Sequence, residues 1–152
     1  MRSTARWICF SLLLISTVGC PSSNLGDLLG GPFTLPDANL TGTWNVTLTV
    51  TGGVQAPVGT LLTATFTIAQ TGSSFTGTFS TGGGFSGSLS GTISVQTFSL
   101  TITQGAPCPG TFTGAGTAAN SLGGSIGVTQ MTGSYSGSDC KGTLAVVFAA
   151  TK

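Results

Sequence analysis

The sequence predicts an all-β domain, an antiparallel up-and-down barrel of about eight strands, with a β-sandwich as the alternative. Three observations carry this. From Thr41 onward apolar and hydroxyl residues alternate with period two, the pattern of strands with one buried face. Gly-rich turn sequences break the alternation at short intervals: Thr51-Gly52-Gly53, Thr71-Gly72-Ser73 and Thr81-Gly82-Gly83-Gly84. No stretch of this region carries a helical period of useful length, so no significant helix is expected there.

Each strand can be read in order. Trp44, Val46, Leu48 and Val50 alternate with Thr43, Asn45, Thr47 and Thr49. Leu62, Ala64, Phe66 and Ile68 alternate with Thr63, Thr65 and Thr67. Phe75, Gly77 and Phe79 oppose Thr76, Thr78 and Ser80. Phe85, Gly87, Leu89, Gly91 and Ile93 oppose Ser86, Ser88, Ser90 and Thr92. Phe98, Leu100 and Ile102 oppose Ser99, Thr101 and Thr103. Phe112, Gly114, Gly116 and Ala118 oppose Thr111, Thr113 and Thr117. The last run sets Leu144, Val146 and Phe148 against Thr143, Ala145 and Val147. Val, Ile, Thr and Phe suit a pleated surface. Residues 121–136 are ambiguous: Ile126 and Val128 keep one parity, Met131 and Tyr135 the other. Either a bulge near Gln130 flips the parity, or a tight turn makes two short strands and a ninth element.

A unit of apolar, hydroxyl, Gly, hydroxyl, apolar recurs in Phe75–Phe79, Phe85–Leu89 and Met131–Tyr135. Gly falls on the inward parity each time. Gly weakens a strand, so its placement needs a reason. Strong bending of a closing barrel is one, and an aromatic lying across the Gly from a neighbouring strand is another. A hollow interior, left by the missing side chains, is the functional alternative.

The N-terminus reads as an export signal. Arg2 and Arg6 form a basic head, an apolar stretch runs from Trp7 to Ile15, and small residues lead to Cys20. That is the layout of a secretory signal, and the apolar run is shorter than the roughly 20 residues a spanning helix needs. Val18-Gly19-Cys20 resembles the lipobox of bacterial lipoproteins. The resemblance implies a signal peptide over 1–19, cleavage before Cys20 and lipid on its thiol; ordinary cleavage with a plain thiol is the alternative. Two or three acyl chains would anchor the protein stably. Pro21 replaces the Asp that commonly retains this family at the inner membrane, which favours the outer membrane or cell surface. Residues 20–40 carry Pro, Gly, Ser and Asn without periodicity and read as a flexible tether. The domain is expected over 41–152.

Composition excludes several functions. Beyond the signal, only Asp27, Asp37, Asp139, Lys141 and Lys152 carry charge, and His and Glu are absent throughout. No basic patch exists for nucleic acid. Enzymes need titratable groups near working pH. Two of the three Asp lie in the tether, so paired carboxylates for glycoside hydrolysis are missing. A Ser–Lys pair through Lys141 is the one nucleophilic option; a solvated rim Lys is the simpler reading. Asp139 reads as a turn cap. No cofactor is expected. Cys108 and Cys140 read as one disulfide of an exported domain, with two free thiols the alternative and a metal site disfavoured by the ligand set. In a meander both cysteines precede strands that start at one rim. Two strand spacings are roughly 10 Å, beyond the 7 Å limit for bridged Cα atoms, so the loops Ala106–Pro109 and Ser138–Cys140 have to close the gap.

Leu40-Thr41-Gly42-Thr43-Trp44 opens the domain. A Gly-x-Trp on a first strand followed by up-and-down strands resembles the calycin barrels, lipocalins and avidins. Gly87–Thr92 and Thr97–Thr101 are similar to the middle hairpin of avidin-like chains. The resemblance implies that Trp44 closes one barrel end. It does not imply biotin binding, because Trp44 is the only Trp after the signal, and the lipocalin Arg that packs on this Trp has no counterpart. The expected function is non-catalytic: a barrel held at a membrane by its N-terminal lipid, binding a small apolar ligand or envelope component near Trp44, Phe66 or Tyr135. The alternative is a structural or adhesive surface protein whose Thr rows, such as Thr47-Thr49-Thr51 and Thr63-Thr65-Thr67, face a glycan, a protein or ice.

Overall fold

The computed structural model describes residues 35–119 and 127–152. Eight strands follow one another: β1 Gly42–Gly53, β2 Leu61–Thr71, β3 Ser74–Thr81, β4 Ser86–Ser94, β5 Thr97–Gln104, β6 Gly110–Ala119, β7 Gln130–Asp139 and β8 Gly142–Thr151. Each pairs antiparallel with the next, and β1 closes on β8 to make a barrel in sequence order. The sandwich alternative falls on that last ladder. Among the described residues there is no helix.

Alternation decides which face is buried. Trp44, Val46, Leu48 and Val50 of β1 point inward, as do Ala64, Phe66 and Ile68 of β2. Every later strand keeps the same order, down to Val146, Phe148 and Ala150 of β8. The outward positions form hydroxyl pairs on most ladders, such as Thr47 opposite Thr63, Thr78 opposite Ser88 and Thr117 opposite Thr132, while β8 sets Ala145, Val147 and Ala149 outward. An apolar interior inside a hydroxyl shell is the reverse of a lipid-spanning barrel.

The inward glycines answer the question their spacing raised. Phe75 lies opposite Gly91, Phe79 opposite Gly87, Phe98 opposite Gly116, Phe112 opposite Gly137 and Phe148 opposite Gly133. In each pair the ring covers the site where a β-carbon would stand. A carbonyl of the neighbouring strand crowds that same site: Ser99, Thr103, Thr132, Thr111 and Ala115 supply them. Gly77, the glycine of the Phe75–Phe79 unit, differs: it lies opposite Ile68 and Leu89, and the Thr67 carbonyl rather than a ring fills the site.

Two details differ from the sequence reading. Among the described residues the parity change before Met131 is neither a bulge within β7 nor a ninth strand; residues 121–126, Ile126 with them, lie outside the described residues. The β6–β7 ladder runs in unbroken register from Ala119–Gln130 to Gly110–Asp139, and buried Val128 precedes the strand, after a turn at Gly127 with φ +67°. The one register shift described lies in β1 against β8, between Val50 and Gly52. The second difference concerns the tether. Leu40 is fully buried, and the compact unit begins at Leu35. Residues 37–40 are a floor strap rather than a free coil. Cys20, the segment 1–19 and tether residues 20–34 lie outside the described residues.

The strap closes one end of the barrel. Trp44 Nε1 donates to the Leu40 carbonyl at 2.8 Å, and Leu40 N–H donates to Gln70 Oε1 at 2.8 Å. In the β4–β5 turn, Val95 N–H donates to Asp37 Oδ1 at 2.7 Å, while its carbonyl accepts from Ala38 N–H at 2.6 Å. Val95 has φ 56°, a conformation a β-branched residue rarely takes; the strap grips both its polar groups. Lys152 Nζ sits 4.6 Å from the centre of the Trp44 ring, a cation–π contact.

Candidate functional site

The barrel is filled unevenly. Towards the floor, Phe66, Phe75, Phe98 and Phe148 pack ring against ring, with centroids 6.3 Å apart. The gap left among them is about 10 Å³, room for no more than one water. Towards the opposite rim the side chains stop meeting. A cavity of about 320 Å³ remains there, walled by Leu48, Phe79, Ile102, Phe112, Tyr135 and Leu144. Leu61, Leu62 and Phe85 form its lip, and Leu61 is 68% exposed.

The rim loops bring in polar groups. Asp139 ends β7 on the inward parity and is half-buried. Its Oδ1 accepts from Gln55 Nε2 at 2.9 Å and from Lys141 N–H at 2.7 Å. Its Oδ2 accepts from Gln104 Nε2 at 2.9 Å. Gln104 continues the inward row of β5 and is only 8% exposed; its Nε2 also donates to the Cys108 carbonyl at 2.7 Å. Gln55 reaches over from the β1–β2 loop, and its Nε2 donates again to the Gly142 carbonyl at 2.8 Å.

The Cys108–Cys140 disulfide clamps this rim, with Cα atoms 5.2 Å apart. It joins the β5–β6 loop to the β7–β8 turn, as the loop argument required. Cys108, Asp139 and Cys140 also group closely enough to suggest a metal, but the bridge consumes both sulfurs. Tyr135 is buried among Phe112 and Phe148. Burial pushes its phenol up to about 12, so it stays neutral at any physiological pH.

The three ligand residues expected from sequence part company here. Tyr135 lines the cavity. Phe66 lies in the packed half beneath it. Trp44 is fully buried at the floor, where it closes the barrel end, the role the calycin pattern implied for it. Asp139 does cap its turn through Lys141 N–H, and it also faces the cavity. Gln55 and Gln104 were not singled out from the sequence. Gln104 carried a readable signal, a polar residue on the inward parity after Phe98, Leu100 and Ile102. Gln55 carried none, because loop residues have no parity.

Lys141 Nζ lies 4.4 Å over the Phe85 ring at the lip. Comparison with known proteins finds no matching family model, no matching curated protein and no matching solved structure.

Proposed function

We propose that this chain is a non-catalytic binding protein of the bacterial cell envelope, which holds a small, largely apolar ligand in the open half of its barrel. One observation supports this most: the interior is packed solid near Trp44 but leaves about 320 Å³ at the other rim. That volume is at the small end of ligand sites, which run from about 300 to 1,000 Å³. Its walls are mostly apolar, and a few polar groups converge at one edge, the usual division between affinity and orientation. The hydroxyl exterior spreads over most strands and is interrupted at β8, where Ala145, Val147 and Ala149 face outward. The export signal and lipobox-like Val18-Gly19-Cys20 support anchoring through lipid on Cys20, at the outer membrane or cell surface.

The neutral dye N-phenyl-1-naphthylamine tests the pocket. Its fluorescence is expected to rise and saturate at one dye per protein. Ile102→Trp, which fills the cavity, is expected to abolish the rise while circular dichroism stays that of a folded barrel. No saturable binding to the wild type would reject the reading. Mass spectrometry of the mature N-terminus tests the anchor; an unmodified Cys20, or cleavage elsewhere, rejects it.

A further inference from the structure

Three polar side chains at one edge of the cavity, Gln55, Gln104 and Asp139, have their donors spent and their acceptors left over. An amide NH2 has two hydrogens. Gln104 spends both, on Asp139 and on the Cys108 carbonyl. Gln55 spends both, on Asp139 and on the Gly142 carbonyl. Reversing either amide would set oxygen against two acceptors, so the orientations are fixed by their surroundings. Among the described residues no donor reaches Oε1 of Gln55 or of Gln104, although Gln104 is more than nine-tenths buried. A buried acceptor without a donor costs about 1–3 kcal/mol, so something that donates is called for.

Charge points the same way. Asp139 is held by three neutral donors. The one nearby ammonium, Lys141, is turned onto Phe85 at the lip. The carboxylate therefore faces the cavity without a cation against it. The walls add the faces of Phe79, Phe112 and Tyr135, and aromatic faces attract desolvated cations.

We infer that the ligand is an amphiphilic organic cation: a primary or secondary ammonium on an apolar body. The inference rests on the ligand-binding reading above and deepens it. The ammonium donates to Asp139 and to the two free amide oxygens, while the body fills the ring-lined walls. Beside Asp139 an anionic head meets acceptors, with the Lys141 ammonium held out over Phe85 at the lip, and a hydroxyl head supplies one donor where three acceptors stand.

Calorimetric titration of the mature, full-length protein near neutral pH compares n-octylamine, n-octanol and n-octanoate, which share one tail. Octylamine is expected to bind at least about tenfold more tightly than octanol, with octanoate weakest, since charge-assisted hydrogen bonds outweigh neutral ones. Asp139→Asn is expected to weaken octylamine by about tenfold or more and to leave octanol within about twofold. The wild-type series decides the matter even where that variant fails to fold. Equal binding of octylamine and octanol, or tighter binding of octanoate, overturns the inference and leaves the pocket reading intact. If none of the three binds while the neutral dye does, the inference falls alone; if the dye also fails, the pocket reading falls with it.

Discussion

The ring of Phe98 covers Gly116 from directly across the β5–β6 ladder, its Cζ 2.6 Å from where a β-carbon would stand. The Thr132 carbonyl of β7 crowds the same point from the other side. A side chain at residue 116 therefore meets backbone as well as ring. Gly116→Ala is expected to cost about 2–4 kcal/mol in urea unfolding, in the range of overpacked cores. Trimming the ring as well, in Phe98→Leu/Gly116→Ala, is expected to restore little of it. Full rescue in that double variant would mean that the ring alone excludes a β-carbon.

Leu40 separates a strap from a tether. A flexible linker residue could be changed freely. Fully buried Leu40 accepts the Trp44 indole N–H on its carbonyl and donates its own N–H to Gln70. Leu40→Ala is expected to cost about 2–5 kcal/mol, as for other buried leucines. The dye-binding cavity at the other rim is expected to keep its affinity. A loss under about 0.5 kcal/mol, the usual size of a surface change, would return residues 37–40 to the linker.

Tyr135 makes stability fall at high pH. Its folded pKa, about 12, lies above the ordinary phenol value of 10.0 because burial penalises the phenolate. The unfolded chain therefore ionises first as pH rises. The stabilisation is complete below pH 10 and is lost between about pH 10 and 12, about 2–3 kcal/mol in all. The chain has one tyrosine, so ultraviolet titration of the phenolate reads this residue alone. A midpoint near 10 in the folded protein would contradict its burial. Tyr135→Phe is expected to remove this part of the alkaline loss.

The disulfide couples stability to the rim. Removing a bridge that closes a loop of this size is expected to cost about 3–4 kcal/mol, measured as the fall in melting temperature of Cys108→Ser/Cys140→Ser. The Cys108 carbonyl also holds Gln104 Nε2. The double variant is therefore expected to bind the neutral dye more weakly even at temperatures where it stays folded. Unchanged dye affinity would show that the rim keeps its shape without the bridge.

Much of the fold was legible because strand alternation is a local signal. Trp44, Val46 and Leu48 face inward for the same reason that Thr43, Asn45 and Thr47 face out, and no distant residue is needed to say so. The paired cysteines were legible for a similar reason, since their loops share one rim. Register was less so: that Phe98 meets Gly116 depends on turn lengths and on closure of β1 against β8. The site was the least legible part. Asp139 belonged to a turn in sequence, and Gln55 to a loop.

The sequence by itself determined a nearly uncharged β-domain with hydroxyls mostly outside and aromatic residues inside, because period two and composition act residue by residue. Only the tertiary structure decided which end of the barrel is full. At the floor Lys152 reaches Trp44 and Gln70 reaches Leu40 from distant parts of the chain, while Gln55, Gln104 and Asp139 converge at the mouth from three separate strands and loops. Packing in a closed barrel depends on how inward side chains from all eight strands stack in layers, and no single strand carries that information.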